Sequence, residues 1–351
     1  MKKKNNKFQG HRFSTLSVHS GQKLDKDFKA RAVPIYQTTS YVFDSTSEAA
    51  SIFNLDADGH IYSRISNPTV SALEERLASL EKGIGAICVA SGQAALHLTV
   101  ATLLNQGDHI IASDRIYGGS RNLLGLTLKR FGIEVTFVDP KNYKLIRKSI
   151  KKNTMLFFAE TIGNPGLEVL DIPKISKICE ANNIPLVLDN TIATPFLLNP
   201  IDYGADIVLH SATKFIGGHS DLLGGVLVAR DPEVGRKLHW MQNATGAVMG
   251  PLESFLCCRG VKTLELRVHA QSATAMRLAS WLQKQQSVKR VYYPGLEDDP
   301  GSATAKKQYH GGYGAMVSFE VDADVNGAQR FVESTKLFQL AVSLGAVESL
   351  I

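Results

Sequence analysis

Between about residues 84 and 230, short apolar runs alternate with segments of helical spacing. The runs fall at 86–89, 109–112, 135–138, 155–159, 185–188 and 207–209. Helical patterns occupy 93–104, about 119–130 and 172–181. Runs of three to five apolar residues are too short for helices, and helices between them hide both faces of whatever sheet they form. The pattern therefore predicts an α/β fold, with a mostly parallel sheet and helices on both faces. The run at 224–229 follows a turn with no helix before it, so one strand there is expected to be antiparallel.

The flanks read differently. Residues 1–60 look irregular and extended. Asn67-Pro68 is a helix cap followed by proline at the first helical position. Val70, Leu73, Leu77 and Leu80 then mark one helical face, which Gly83 is expected to stop. Beyond residue 231 a long helical region is predicted over 252–285, carrying Leu264, Leu266, Leu278 and Trp281. A linker is expected at 291–295, and 316–321 alternates like a half-buried strand. The predicted division is an N-terminal arm (1–60), a large cofactor-binding domain (61–230), and a connecting helix with a smaller α+β domain (231–351). The chain stops inside an apolar, strand-like segment at 347–351, so that last domain is expected to be truncated.

Composition excludes several roles. Four of the lysines behind the net charge of +6 lie in the first seven residues, which reads as a solvated arm. No aromatic and basic interleaving points to nucleic acid. No apolar run approaches the roughly 18 residues of a membrane span, and no apolar segment follows the basic start as in a secretory signal. The four cysteines, Cys88, Cys179, Cys257 and Cys258, form no C-x-x-C pair. They predict buried thiols in a reduced, cytoplasmic protein and no metal site. His210 and His219 are read as structural.

The chemistry gathers around Lys214. The run 207–209 leads into Ser211, Thr213 and Lys214, placing two hydroxyls and an amine at the mouth of a sheet, where open α/β sheets bind ligands. Hydroxyls suit a phosphate, and a lysine suits a carbonyl that it can capture as a Schiff base. Together they describe pyridoxal 5'-phosphate (PLP). Ser91-Gly92-Gln93 lies between a strand and a helix and offers free amides as a phosphate cradle; an ordinary strand-to-helix turn has the same pattern. Asp189 ends an apolar run, where a carboxylate can keep the PLP ring nitrogen protonated or simply cap a turn. Tyr117, followed by Gly118 and Gly119, is an aromatic that could lie on the ring, or pack on the surface. Tyr62 and Arg64 precede the capped helix, and arginine is a bidentate partner for phosphate or a solvated surface charge.

In this order, the motifs resemble the trans-sulfuration (Cys/Met metabolism) family of PLP enzymes. The resemblance runs from Val33-Pro34-Ile35-Tyr36-Gln37-Thr38 to Ser343-Leu344-Gly345. It implies the PLP-dependent aminotransferase-like (type I) fold and a catalytic pair, Lys214 and Tyr117. It further implies that Gly92, Gln93, Ser211 and Thr213 hold the phosphate, Asp189 the ring nitrogen and Asn164 the neighbourhood of the ring oxygen. Tyr62 and Arg64 match a pair that reaches the neighbouring subunit's phosphate, so a homodimer or homotetramer with shared sites is implied. Ser343 and Val342 match substrate-binding positions. Val342 stands where cystathionine enzymes usually carry glutamate, and Gly119 where bacterial methionine γ-lyases usually carry cysteine. Both favour a short uncharged substrate side chain. The implied reaction is Cγ replacement on an O-acyl-homoserine by sulfide or a thiol. The alternatives are γ-elimination from methionine or cystathionine and, in another class, a catalytically impaired relative that only binds PLP. The intact Lys214 and Asp189 argue against the last. The family's carboxylate-gripping arginine has no counterpart in these residues, so weak handling of amino-acid substrates is expected of the chain as it stands.

Overall fold

Most of the apolar runs become strands that hide both of their faces, while the edge strand at 134–138 stays partly exposed. The computed structural model describes residues 10–54 and 56–351; the lysine-rich start lies outside them. Seven strands form one sheet: β1 (Gly85–Val89), β2 (His109–Ser113), β3 (Glu134–Val138), β4 (Thr154–Glu160), β5 (Leu186–Asp189), β6 (Ile207–Ser211) and β7 (Gly225–Ala229). Their order is β1-β7-β6-β5-β4-β2-β3. The pairs among β2 to β6 are parallel, whereas β7 runs antiparallel to both β6 and β1. A parallel neighbour needs a crossover, and the turn between β6 and β7 contains no helix, so β7 reverses as expected.

Side chains alternate between two cores. Ile87, Val89, Ile110, Ala112, Val187 and Leu209 face the helices Gly92–Leu103 and Pro232–Thr245. Cys88, Ile111, Leu186, Leu188 and Val208 face Pro68–Leu80, Ile172–Glu180 and Pro251–Val261. Helices therefore cover both faces of the sheet. All four cysteines are free and buried. Among the described residues, no helix is long and apolar enough to cross a membrane.

The Pro68–Leu80 helix starts as its sequence implies: the Asn67 side chain accepts the Thr69 N–H, and proline occupies the first turn. Its end differs from expectation. Lys82, not Gly83, takes the left-handed conformation, at φ 60°. Gly83 lacks a side chain for another reason, because a Cβ there would run into Val228 and Ala229 of β7.

Four other expectations are corrected. The segment before residue 60 is not wholly irregular but carries helices Phe13–His19 and Thr46–Phe53. The first is anchored by Phe13 against Phe196, with ring centroids 5.4 Å apart. The stretch at 119–130 is composite: an α-turn (Gly118–Asn122), a π-turn (Leu123–Thr127) and a 3-10 turn (Leu128–Phe131). The long helical region splits into Pro251–Val261 and Leu264–Leu282, with Lys262 and Thr263 between them. The first two residues of the expected linker, Val291 and Tyr292, end a strand, β8 (Val288–Tyr292), paired antiparallel with β9 (Ser318–Val321). Tyr292, inside the expected linker, pairs with Ser318. Long-range pairing recruits a segment whose own sequence reads as a break.

Candidate active site

One edge of the sheet collects the chemistry, because β2, β4, β5 and β6 are parallel and end there. Asp189 closes β5, Ser211 closes β6, and Glu160 closes β4. Ser91 and Gly92 follow β1, which the intervening antiparallel β7 orients like β6.

Gly92 and Ser211 touch so closely that a Cβ on Gly92 would sit 2.9 Å from Ser211 Cβ. Ser91 caps the Gly92–Leu103 helix, its side chain accepting the Ala94 N–H. The amides of Gly92 and Gln93 open that helix, where N–H groups lack intrahelical acceptors. The Ser211 backbone N–H is held by Thr191 Oγ1 at 2.8 Å. The Thr213 hydroxyl accepts the Gly224 N–H at 3.0 Å, tying the turn after β6 to the start of β7.

Lys214 is half-buried in that turn. Its N–H donates to Ser211 O at 3.1 Å, and its own carbonyl accepts the Gly218 N–H at 2.8 Å. Burial lowers the ammonium's pKa from the usual lysine value. The Lys214 Nζ lies 3.2 Å from Ser343 Oγ. Ser343 arrives on a segment pinned by Gln271 Nε2 to Ala346 O at 2.9 Å and by Val347 N–H to Gly218 O at 3.1 Å. Behind the lysine, Arg267 donates to Phe215 O at 2.8 Å and to Gly260 O at 2.9 Å. Burial lowers that guanidinium to about 10.

Asp189 accepts the Thr191 N–H at 2.8 Å. Burial raises its pKa, and the Thr191 hydrogen bonds oppose the rise. Beneath it, Asn190 donates to Glu81 Oε1 at 2.9 Å, and His210 Nε2 meets the same oxygen at 2.6 Å. His210 is thus held in the core by Glu81, and His219 Nδ1 lies 2.7 Å from Gly217 O. Tyr117 is half exposed, and its N–H donates to Glu160 Oε1 at 2.7 Å. A Cβ on Gly119 would run into the Tyr117 ring and lie 2.8 Å from Gln93 Nε2. Asn164 follows β4 and precedes a cis bond to Pro165; its N–H also reaches Glu160.

The structure therefore gathers Gly92, Gln93, Tyr117, Asn164, Asp189, Ser211, Thr213, Lys214 and Ser343 around the ends of these strands. Tyr62 and Arg64 stand apart. Arg64 packs over the Tyr62 ring at 5.6 Å and donates to Asn243, through both its carbonyl at 2.6 Å and its side chain. Val342 is 99% exposed beside Ser343. Sequence reasoning missed Glu160, Glu81 and Arg267. Glu160 had the same signal as Asp189, an acid ending an apolar run; the other two gave none. Among the described residues, no cluster of His, Cys, Asp and Glu could hold a metal ion.

The family described as "Cys/Met metabolism PLP-dependent enzyme" matches residues 14–351. The chain belongs to this family. An L-methionine gamma-lyase from Fusobacterium nucleatum is 40% identical over 340 residues, covering 96% of this chain and 85% of the relative. An O-acetyl-L-homoserine sulfhydrylase from Leptospira meyeri is 38% identical, with 96% and 85% covered. The crystal structure of a cystathionine gamma-lyase from Lactobacillus plantarum complexed with L-serine superposes with a TM-score of 0.91 at 38% identity, covering 97% of this chain and 86% of that one. The sheet and its helices are those of the family's type I fold.

PLP is the cofactor of this Cys/Met metabolism family, and the residues present fit it. Gly92 leaves a space beside Ser211 that a Cβ would fill. Amides and a hydroxyl border that space, a buried carboxylate ends the strand next to Ser211's, and a half-buried amine follows on the turn after Ser211.

Proposed function

We propose that this PLP enzyme replaces the acyloxy group at Cγ of an O-acyl-homoserine with sulfide or a thiol. The carboxylate leaves with the electrons of the Cγ–O bond, and sulfur forms the new bond to Cγ. The observation that carries the reading is Lys214 Nζ beside Ser343 Oγ, at 3.2 Å, with aliphatic Val342 next in the chain. A valine offers a distal substrate ammonium no counter-charge, whereas a glutamate at the same place would pair with it. A short uncharged side chain needs no such partner.

The family resemblance, together with this geometry, supports the following roles. The Gly92 and Gln93 amides, with Ser211 and Thr213, hold the phosphate. Asp189, buried and with its carboxylate already oriented by Thr191, keeps the ring nitrogen protonated. When bound, the cofactor is the electron sink for charge that develops at substrate Cα. Lys214 would hold the cofactor covalently and carry protons between substrate carbons; burial, which lowers its proton affinity, favours the neutral amine a base requires. Tyr117 serves the ring face and the leaving group, Asn164 the ring oxygen, and Ser343 the substrate carboxylate. Arg64, which binds Asn243 within its own chain, and Tyr62 beneath it serve the phosphate of a second copy in a homodimer or homotetramer.

The similarity to methionine gamma-lyase favours a second reading, γ-elimination from methionine to a 2-oxo acid, ammonia and a thiol. Parallel assays separate the two: O-acetylhomoserine with sulfide, and methionine alone, each with products identified by mass. Homocysteine and acetate from the first support replacement. Keto-acid release from methionine, with no homocysteine in the first assay, overturns it.

A further inference from the structure

Two acids, not one, end neighbouring strands at this site. Glu160 closes β4, Asp189 closes β5, and they are direct partners in the parallel register. Glu160 is only 8% exposed. Its carboxyl accepts the backbone N–H of Tyr117 at 2.7 Å and that of Asn164. One acid thus fastens the loops after β2 and β4 to the end of β4.

The charged groups around the pair are unequal. Glu160 faces Asp189, and burial together with that neighbour pushes its proton affinity well above the carboxyl norm. The nearby Arg115 on the loop after β2 is engaged by Asp114 at 3.3 Å and Glu168 at 3.8 Å. Asp189 has better support: the Thr191 N–H and hydroxyl bind it, and His210, held from behind by Glu81 of the Pro68–Leu80 helix end, acts on it favourably. Two adjacent buried carboxyls do not both ionise cheaply, so the better-supported one keeps the charge.

We propose that Glu160 is a positioning residue which, as a neutral acid, fixes the Tyr117 and Asn164 backbones and leaves Asp189 as the single negative charge for the cofactor's ring nitrogen. This rests on the assignment of Asp189 made above. A neutral amide can perform the anchoring task, since its oxygen can accept the Tyr117 N–H as Glu160 Oε1 does. A methyl group cannot.

The test compares Glu160→Gln and Glu160→Ala with the parent protein. Three quantities are measured: the PLP dissociation constant of the apoprotein, kcat and KM separately, and apoprotein stability against pH. Glu160→Ala is expected to weaken PLP binding by about tenfold and to lower kcat more than it raises KM, because Tyr117 loses its anchor. Glu160→Gln is expected to restore both to within about threefold of the parent. In the folded parent the raised proton affinity of Glu160 makes its stabilising contribution complete at acid pH and lost as pH rises through its folded value. The Gln variant should lack that alkaline loss. If Glu160→Gln is as impaired as Glu160→Ala, the group works as an anion and the proposal fails. It fails equally if Glu160→Ala matches the parent. Asp189→Ala is the separate control. Unchanged PLP affinity and turnover in that variant would overturn the assignment of the site itself, whatever Glu160 does.

Discussion

Gly92 shows how much a single missing methyl decides. The end of β6 and the start of the Gly92–Leu103 helix meet through it, and a Cβ would lie 2.9 Å from Ser211 Cβ and 3.1 Å from Ser211 Cα. Neither neighbour is a flexible tip, so Gly92→Ala must move the strand end or the helix. It is expected to weaken PLP binding by roughly tenfold, about 1.4 kcal/mol, as read by titrating the apoprotein. Binding unchanged within twofold would mean the cradle lies elsewhere. Lys214 is the other residue on which the proposed chemistry turns. Lys214→Ala is expected to abolish the visible absorbance of the bound cofactor and to lower turnover by orders of magnitude. Full activity in that variant would remove the lysine from the mechanism.

At the scale of elements, the Pro68–Leu80 helix is joined to β1 by a titratable contact. Glu74 Oε1 accepts the Cys88 N–H at 3.0 Å, and burial pushes the carboxyl from the ordinary 4.5 up to about 7. Its folded value is raised, so the contribution to stability is complete below the unfolded value and lost as pH rises through about 7. Glu74→Gln keeps an acceptor for Cys88 and removes the titration. Between pH 5 and 8 the parent is expected to lose on the order of 1–3 kcal/mol that the variant does not. Urea midpoints for both proteins across that range measure the difference; parallel curves would show that Glu74 ionises as an exposed acid does. The same helix buries Arg76, which donates to Ser20 O at 2.8 Å and Cys258 O at 2.9 Å. It thereby links the end of the Phe13–His19 helix and the Pro251–Val261 helix to its own helix through carbonyls rather than through a carboxylate.

For the whole molecule, the open question is where Arg64 works. In its own chain it is engaged by Asn243 at the end of the Pro232–Thr245 helix, apart from the strand ends that carry Lys214. If it serves a second copy's phosphate, an Arg64→Ala chain mixed with a Lys214→Ala chain forms hybrid dimers with one intact site in two. Up to about a quarter of parental activity should then return from two inactive proteins, because half the dimers are hybrids and half their sites are whole. No recovery after subunit exchange, verified by mass, would confine Arg64 to its own chain. The segment 343–347 matters at this scale as well. It crosses the turn after β6, with Gly345 against Phe215 and Ser343 against Lys214, so residues 129 apart in sequence meet at one amine.

What the sequence determined by itself was local and periodic. Apolar runs flanked by helical spacing specified the strands, their parallel pairing and the reversed β7, because burying both faces leaves a chain few alternatives. Residues that end such runs were legible for the same reason: Asp189 and Ser211 are strand ends, and strand ends of a parallel sheet converge. Tertiary structure decided whatever depends on partners distant in the chain. Val288–Tyr292 became a strand because β9 pairs with it, although Pro294 and Gly295 make the segment read as a break. The region at 252–285 split at Lys262 and Thr263, where Arg267 turns back to bind Gly260 O and Phe215 O. Gly83 proved to be a close approach to β7 rather than the helix stop. Glu160 acquired its place beside Asp189 only through β4–β5 register, and Glu81 met His210 only when a helix end packed beneath β6. Periodicity is written within a few residues of chain. Register and packing are set by the whole core, and they bring together groups that no local pattern connects.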